Sequence, residues 1–373
     1  MKITSVKAYQ VDLPYVGGTY FWGKGNAIRV ASTTVIVVET DAGISGCGES
    51  CPIGGNYLAA YPEGVIPALA RLAPAVMGQD PRHIHRIERL MDKALTGHPY
   101  AKSALDAACW DILGQDCGQP VSVLLGGVLT DGGPMYRVVP QKSPDEVNRE
   151  MAQHRAAGYR QFQIKVGNDW KGDIARIHAA AAILEPRESA FADANRGWTV
   201  REAVQVVREV RDTGVMIEQP CTSYEECLHV RSRCDLPMKL DECITDLKMA
   251  GRLVADRAAE VVCLKISNLG GLTKARRVRD YLVEHGLSVV CEDTWGGEIT
   301  TAAVSHFAAS CPESYLYNTT DLHNYNTVST GEPPPEVRDG KLFASTRPGL
   351  GVTPLASALG EPLAEYRASW YED

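Results

Sequence analysis

The apolar and polar positions of this chain form two regions with different periods. In the first region, apolar residues alternate with polar ones over residues 2–12 and 33–49, and a turn at Asp41-Ala42-Gly43 interrupts the second stretch. A period of two that is broken by a glycine turn predicts an antiparallel sheet. Helical spacing then continues as far as Gly127. We therefore predict an α+β capping domain over residues 1–127.

In the second region, short apolar runs alternate with amphipathic helical segments, eight times in succession. Several helical segments begin with Ser or Thr followed three residues later by Glu, which is a capping box. Eight strand–helix units in series predict a closed parallel barrel with helices outside it. We predict a (β/α)-barrel, a modified TIM barrel, over residues 128–344, and a tail over about 345–373 that joins the first domain. The runs end at Val139, Val166, Ala194, Gln219, Asp241, Lys265, Asp293 and about Asn318.

Length and composition narrow the classes of protein to which the chain can belong. Its 373 residues suit one barrel and a second domain, and its 45% hydrophobic content supports a buried core. The net charge of −8, without a basic block, argues against a nucleic-acid or anionic-membrane partner. We find no apolar run long enough for a membrane span or a signal peptide. Eleven scattered cysteines without a CxxC motif predict a reduced, cytoplasmic protein.

Charged residues stand at the ends of six of the apolar runs. Their spacings are 28, 25, 23, 24 and 28 residues by subtraction, which is one strand–helix unit each. The C-terminal strand ends of such a barrel face one rim, where active sites lie. A single Asp after a strand is often only a helix N-cap, but six charges converging on one rim indicate a site. They are Lys165, Asp193, Glu218, Asp241, Lys265 and Asp293.

Three of these charges, Asp193, Glu218 and Asp241, belong to consecutive strands. Three adjacent carboxylates repel one another, so their protonation would be forced upward unless a cation neutralised them. All three offer hard oxygen ligands, which favour Mg²⁺, with Mn²⁺ as the second choice, and disfavour Zn²⁺. We therefore predict a magnesium site formed by these carboxylates.

Lys165 and Lys265 flank the three carboxylates, one on the preceding strand and one on the following strand. They would face each other across the mouth of the barrel. Two amines on opposite faces of one carbon can remove a proton from one side and deliver a proton from the other. The product of the first step would be an enediolate, which a divalent cation stabilises. The expected chemistry is proton abstraction next to a carboxylate.

Several motifs together resemble the enolase superfamily. They are the strand-end residues above, the segment Ala104–Gly114 followed by Leu124-Leu125-Gly126-Gly127, and the closing Pro348-Gly349-Leu350-Gly351. The likeness covers the whole chain and points to the mandelate racemase/muconate lactonizing enzyme group, in its branch with lysines on both sides. The resemblance implies that the three carboxylates are metal ligands and that the two lysines are the catalytic acid and base.

Two positions depart from the pattern of that group. Gln163 replaces the first lysine of its KxK motif, so we expect Gln163 to face the substrate and to help tune Lys165. Asp293 stands at the end of the seventh strand, where other members carry a histidine. This replacement disfavours a His–Asp base, and with it the dehydration of sugar acids, which is a third and weaker option.

The segment Asp293-Thr294-Trp295-Gly296-Gly297 resembles the members that act on proline derivatives, the hydroxyproline-betaine epimerases and cis-3-hydroxy-L-proline dehydratases. Asp293 would suit a cationic ring nitrogen. Trp295 would pack on the ring or make a cation–π contact, or it would simply fill the core between barrel and helix. Three loop residues would close over the ligand and exclude water, or they would only pack between the domains. They are Tyr20, Trp22 and Tyr57.

The eighth strand favours free hydroxyproline over its betaine. Betaine epimerases use a tryptophan there against the quaternary ammonium, and this chain has no tryptophan between residues 296 and 369. The expected reaction is dehydration of cis-3-hydroxy-L-proline to Δ1-pyrroline-2-carboxylate, with Lys165 as base and Lys265 as acid, although their order stays open. The alternatives are 2-epimerisation of proline betaine or a related amino acid, and a non-catalytic binding protein on a barrel scaffold. We expect a small-molecule carboxylate as ligand and a homo-oligomeric assembly.

Overall fold

The computed structural model describes residues 1–368. An antiparallel sheet of four strands begins the capping domain, and its order is Ala364–Arg367, Ile3–Pro14, Val30–Thr40 and Ser45–Ser50. The edge strand Ala364–Arg367 comes from the C-terminal tail, so the described part of the tail returns to the N-terminal sheet. Residues 369–373 of the predicted tail lie outside the described residues. Three helices cover the sheet: Val65–Val76, Ile84–Ala94 and Pro99–Cys117.

The third helix packs closely on the strand Ser45–Ser50, and two glycines make this possible. A Cβ atom on Gly48 would lie 1.9 Å from the carbonyl oxygen of Ala104, and one on Gly46 would lie 2.3 Å from that of Ala108. Any side chain at these positions would overlap the helix backbone. The alternation Gly-Cys-Gly in the strand and the alanines in the helix therefore form one contact surface.

Eight parallel strands form the barrel, and each strand pairs with the strands that precede and follow it in the sequence. A parallel bridge between Met135 and Thr319 joins its first and last strands. This arrangement confirms the barrel fold predicted from the repeat of eight apolar runs. The strands are Tyr136–Val139, Gln161–Lys165, Ser189–Asp193, Met216–Glu218, Met238–Leu240, Val261–Lys265, Ser288–Glu292 and Leu316–Thr319.

Seven helices follow the first seven barrel strands. The ones that begin after Ser143, Thr199 and Ser223 each have the predicted capping box. The eighth strand is followed by the 3-10 turn Leu322–Tyr325 instead of a long helix, so the sequence prediction of eight complete strand–helix units is wrong at its last unit. The seven helices are Pro144–Ala156, Trp170–Ala182, Val200–Glu209, Tyr224–Arg231, Leu247–Asp256, Leu272–Glu284 and Glu298–Ala309.

Shorter elements complete the described chain. The hairpin Tyr20–Trp22 and Asn26–Ile28 lies in the first capping loop, with the 3-10 turn Gly23–Gly25 between its strands. The remaining helical turns are Pro62–Gly64, Val121–Leu124, Ile266–Leu269 and Ala356–Leu359, and the remaining strands are Gly133–Pro134, Gly331–Glu332, Glu336–Arg338, Lys341–Phe343 and Thr353–Pro354.

The interior of the barrel below its mouth is filled by a small cluster of buried side chains. They are Tyr136, Phe191, Met216, Val261, Cys263 and Val290. This cluster forms a small core inside the barrel that is separate from the main core. We propose the boundary between capping domain and barrel near residue 127, because the first barrel strand begins at Tyr136.

None of the helices in the described range is long and apolar enough to cross a membrane. All eleven cysteines are free.

Candidate active site

The six charged residues predicted from the strand ends lie at one rim and are buried. The parallel register places Lys165 beside Asp193, and Asp193 beside Glu218, on neighbouring strands. Lys265 ends the sixth strand, while Asp241 and Asp293 directly follow the fifth and seventh. The exposed fractions of all six lie between 1% and 7%. Burial of this many charges at one place requires compensation within the site.

Each of the three predicted metal ligands contacts a lysine ammonium in this structure. Burial and then the charge of Asp193 raise the pKa of Glu218 to about 8, while the charge of Lys239 acts in the opposite direction. The closest pairs of atoms are Lys165 Nζ–Asp193 Oδ2 at 2.6 Å, Lys239 Nζ–Glu218 Oε1 at 2.8 Å, and Lys265 Nζ–Asp241 Oδ2 at 2.6 Å.

Gln163 joins two of these carboxylates. Its Nε2 atom donates to Asp193 Oδ2 at 3.0 Å and to Glu218 Oε2 at 3.1 Å. A single amide thus holds oxygens from both acids toward one point. Carboxylate oxygens are suitable ligands for Mg²⁺. The chemistry of the donor set therefore fits the predicted ion, and Asp241 is the third predicted ligand.

Another group of possible ligands is more compact. Among the residues from 1 to 368, Asp241, Cys263 and Glu292 have ligand atoms within 4.8 Å of one another, and the predicted trio does not form such a group. However, Lys265 Nζ already contacts all three, at 2.6 Å from each carboxylate and 3.6 Å from the thiol. Because a lysine ammonium lies among them, we regard these three side chains as the surroundings of Lys265.

The two predicted catalytic lysines lie on opposite walls of the barrel. Lys165 belongs to the second strand and Lys265 to the sixth, and strands four apart in a ring of eight face each other. Burial lowers the pKa of both ammonium groups, but their carboxylate neighbours outweigh burial and raise it. Both lysines are therefore charged while they remain paired with aspartate.

One cavity at the barrel mouth is lined by both lysines and by Asp193 and Asp241. Polar, charged and aromatic side chains line it together, as is typical of a site for a small molecule. The predicted residues Tyr20, Trp22, Tyr57, Gln163, Asp293 and Trp295 all line the same cavity, together with Tyr325 from the 3-10 turn after the eighth strand.

The aromatic side chains around the cavity contact one another edge to face. The ring centroids of Tyr20 and Trp295 are 5.3 Å apart, and those of Trp22 and Tyr57 are 6.3 Å apart. Trp295 Nε1 donates to Asn326 Oδ1 at 2.8 Å, whereas Trp22 Nε1 is buried and has no hydrogen-bond partner. Trp22 thus lines the cavity and keeps a buried N–H without a partner among the residues that the structure describes.

The capping loops are held against the barrel mouth. A Cβ atom on Gly23 would lie 2.4 Å from the carbonyl oxygen of Ala194, so the first loop approaches the third strand end closely. Arg196 donates to the carbonyl oxygens of Asn56, at 3.1 Å, and Tyr57. Both loops therefore lie against the barrel mouth, where a lid that excludes water would have to be.

Asp293 lines the cavity, but its oxygens already have partners. It accepts hydrogen bonds from the backbone N–H of Ser267 at 3.0 Å, from the Ser267 hydroxyl, and from the backbone N–H of Thr294 at 2.7 Å. Burial raises the pKa of Asp293 to about 6. These bonds fix the turn that follows Lys265. The contact between Asp293 and a substrate nitrogen stays a prediction.

Several residues of the site were missed by sequence reasoning. Glu292 contacts Lys265 and accepts from Tyr136 Oη at 2.9 Å, and these contacts hold the pKa of Glu292 at about 2 although burial opposes this. Lys239 is fully buried below Glu218. Asn195 accepts from Lys165 Nζ at 3.0 Å. The two-residue period of a strand would have revealed Lys239, which precedes Asp241 by two and so points to the same side.

Comparisons with known proteins follow the same division of the chain. Residues 26–126 match the mandelate racemase / muconate lactonizing enzyme, N-terminal domain, and residues 146–358 match the enolase C-terminal domain-like family. The chain is 46% identical to a cis-3-hydroxy-L-proline dehydratase of Roseibium aggregatum over 366 residues, which cover 98% of this chain and 100% of the relative.

Two solved structures from Roseovarius nubinhibens ISM are similar over almost the whole chain. A mandelate racemase/muconate lactonizing enzyme has a TM-score of 0.96 and 59% identity, and covers 98% of this chain and 99% of its own. A second such protein, complexed with magnesium, has a TM-score of 0.93 and 35% identity, with 98% and 100% covered. The chain belongs to the mandelate racemase/muconate lactonizing enzyme group, and it is an enzyme of the enolase superfamily, either a lyase or a racemase/epimerase.

Proposed function

We propose that this enzyme removes the α-proton of a proline-type amino acid, and that its main reaction converts cis-3-hydroxy-L-proline to Δ1-pyrroline-2-carboxylate. The observation that carries the proposal is the position of Lys165 and Lys265 on opposite walls of one cavity. The 46% identity to a cis-3-hydroxy-L-proline dehydratase supports the choice of substrate. Membership of the enolase superfamily does not identify the substrate. It supports the general reaction, which is Mg²⁺-dependent proton abstraction next to a carboxylate.

The stereochemistry of this substrate matches two opposed lysines. In cis-3-hydroxy-L-proline the hydroxyl lies on the same ring face as the carboxylate, so the α-hydrogen lies on the other face. Lys165 takes the α-proton, and Lys265 gives a proton to the hydroxyl as the C3–O bond breaks and water leaves. The resulting enamine gains a proton at C3 and loses one from nitrogen to become Δ1-pyrroline-2-carboxylate. The reverse order of the lysines fits the same geometry.

We propose that Asp193, Glu218 and Asp241 hold Mg²⁺, with Mn²⁺ as the alternative ion. When bound, the ion supplies Lewis-acid stabilisation to a carboxylate whose α-carbon loses its proton. The residues of the chain supply the rest. Gln163 keeps two ligand oxygens together, and the aromatic lid excludes water from the lysines.

One observation favours 2-epimerisation as a second activity. The two lysine–aspartate pairs are closely similar, each with a closest distance of 2.6 Å and each buried. Two equivalent groups allow proton removal from one face and return from the other. A proline derivative without a leaving group at C3 would then be epimerised in the same cavity.

A survey of proline derivatives tests the proposal. The purified enzyme with Mg²⁺ is incubated in D₂O with cis-3-hydroxy-L-proline, trans-3-hydroxy-L-proline, L-proline and proline betaine, and the reaction is followed by NMR. We expect loss of water from the cis isomer alone and α-deuterium in L-proline. An enzyme that neither dehydrates nor exchanges the cis isomer would contradict the proposal, and inversion of the betaine as the fastest reaction would favour the epimerase.

The cytoplasmic location and the homo-oligomeric state stay predictions from sequence. Size-exclusion chromatography with light scattering would test the second.

A further inference from the structure

We propose that Tyr20 and Tyr57 are two equivalent positioning residues, each of which serves one of the two lysines. The inference rests on the proposed function, because it assumes that Lys165 and Lys265 act on opposite faces of one α-carbon. The two phenols belong to separate segments of the capping domain, and both line the cavity. Each phenol faces one wall of the barrel.

Tyr57 belongs to the wall that carries Lys265. Its hydroxyl donates to Asp241 Oδ2 at 3.3 Å, and both oxygens of that carboxylate accept from Lys265 Nζ at 2.6 Å. The ammonium lies 5.8 Å from the centroid of the Tyr57 ring. Phenol, carboxylate and ammonium therefore form one contiguous group.

Tyr20 has the corresponding position on the wall that carries Lys165. The Lys165 ammonium lies 5.8 Å from the centroid of the Tyr20 ring, which is the same distance as in the other group. It also contacts Asp193 at 2.6 Å. Burial raises the pKa of the Tyr20 phenol, while the charge of Lys165 acts in the opposite direction. The neutral phenol is thus a close partner of this ammonium.

The backbone contacts of the two segments explain why each phenol would act on its own wall. Gly23, three residues after Tyr20, is pressed against the carbonyl oxygen of Ala194. Tyr57 is held through its own carbonyl oxygen by Arg196. A lysine that moves between its aspartate and the substrate loses side-chain entropy in reaching the reactive position. A fixed hydroxyl beside the ammonium narrows the positions that the lysine occupies, and so speeds proton transfer on that face alone.

The test measures the two faces separately with L-proline and D-proline, which have no leaving group at C3. In D₂O, exchange of the α-proton with retention of configuration needs only the lysine on the face of that proton. Rates for each enantiomer are measured with the full-length enzyme and Mg²⁺, by NMR and chiral chromatography. The variants are Tyr20→Phe and Tyr57→Phe, which keep the ring, with Lys165→Ala and Lys265→Ala to identify the faces.

We expect each tyrosine variant to slow exchange of one enantiomer about tenfold, in kcat more than in KM, because a polar hydroxyl next to a charged group is lost. The two variants should affect opposite enantiomers. Tyr20→Phe should slow the enantiomer whose exchange Lys165→Ala abolishes, and Tyr57→Phe the enantiomer lost in Lys265→Ala. Tyr61→Phe, at an exposed tyrosine of the same domain, is the matched control and should change neither rate.

Two results would overturn the inference, and they are distinguishable. If the wild-type enzyme exchanges both enantiomers but each tyrosine variant slows both equally, the phenols only help to close the loops, and the inference fails while the proposed function stands. If the wild-type enzyme neither exchanges proline nor dehydrates cis-3-hydroxy-L-proline, the proposed function fails and the inference fails with it.

Discussion

Buried carboxylates occur in two regions of this enzyme, and the two regions satisfy them in different ways. At the barrel mouth, Asp193, Glu218 and Asp241 each contact a lysine. At the junction between capping domain and barrel, Glu49 and Asp106 accept hydrogen bonds mainly from backbone N–H groups and from threonine hydroxyls. The carboxylates at the mouth are paired with flexible lysine side chains. The carboxylates at the junction are paired mainly with backbone N–H groups, whose positions the fold fixes.

The junction carboxylates cap helices of the barrel from the other domain. Glu49 accepts from the backbone N–H of Gly297 at 2.9 Å and of Thr300 at 2.8 Å, at the start of the helix Glu298–Ala309. Asp106 accepts from the N–H of Thr273 at 3.0 Å, in the first turn of Leu272–Glu284. Helix N-termini stabilise negative charge and need acceptors for their free N–H groups. These contacts fix the capping domain on the barrel.

The contrast shows how the buried carboxylates of the candidate active site differ from those that join the two domains. Burial raises the pKa of Asp106 to about 7, and its neighbours only partly oppose this. At the mouth, the lysines hold Glu292 ionised, whereas burial raises the pKa of Glu218 to about 8. Under the proposed function, the mouth carboxylates would hold a metal ion, and the lysines beside them would be available to a substrate. The junction carboxylates have no such role in the proposal.

The largest expected effect is the loss of catalysis in Lys265→Ala. Removing the acid/base group on one wall should lower the dehydration rate by about 10³-fold, within the range for general acid–base catalysis. Steady-state kinetics with cis-3-hydroxy-L-proline measure the rate, and calorimetric titration with Mg²⁺ measures metal binding. Because Lys265 is not a proposed ligand, Mg²⁺ should still bind. A rate within a few-fold of wild type would refute its role.

The next effect concerns Mg²⁺ affinity. Glu218→Gln keeps the shape of the side chain but removes the charge, so we expect Mg²⁺ affinity to fall by about 100-fold and activity to fall with it. Activity should also be lost on dialysis against EDTA and return when Mg²⁺ is added. Glu226→Gln, in the capping box of the next helix, is the control. Unchanged Mg²⁺ affinity in Glu218→Gln would remove this residue from the ligand set.

At the junction, Asp106→Asn should change how stability depends on pH. The folded chain binds the Asp106 proton more tightly than the unfolded chain, so the wild type becomes less stable as the pH rises from the ordinary aspartate pKa of about 4 to about 7. We expect the wild type to lose about 2 kcal/mol more than the variant between pH 5 and pH 7. Urea unfolding at each pH measures this. Asp12→Asn, at an exposed carboxylate, should retain the wild-type slope, and an unchanged slope in Asp106→Asn would contradict the prediction.

The smallest expected effect is that of Glu49→Gln. The amide keeps one oxygen acceptor, but its NH₂ group would face a backbone N–H that now lacks an acceptor. We expect a loss of about 1 kcal/mol in stability and little change in activity at saturating substrate. Chemical denaturation and the activity at saturating substrate test this together. A large loss of activity without a loss of stability would mean that the junction acts on the site directly.

Most of the fold and the main charges of the site were predictable because they repeat locally. The barrel follows from apolar runs separated by one strand–helix unit, and Lys165, Asp193, Glu218, Asp241 and Lys265 all recur at the same place in that unit. The missing eighth helix was not predictable in this way, because the turn Leu322–Tyr325 and the strands after it carry no strong period.

The partners of the charges were much less predictable. Tyr136 reaches Glu292 from 156 residues away, and Gln163 reaches Glu218 from 55 residues away. Asp293 appeared free to bind a substrate, but Ser267 on the neighbouring strand end occupies its oxygens. Such pairs form only when the strands are adjacent in the closed barrel, and no local pattern encodes which side chains then meet.

The sequence by itself determined the two-domain plan, the barrel, the rim to which the charged residues belong, and the family. Only the tertiary structure decided which lysine neutralises each carboxylate, that Glu292 and Lys239 belong to the site, and that the phenols of Tyr20 and Tyr57 face opposite walls. The reason is physical. Periodicity reports how a segment meets its immediate surroundings, whereas the electrostatics of a buried site depend on distances of a few ångströms between segments far apart in the chain.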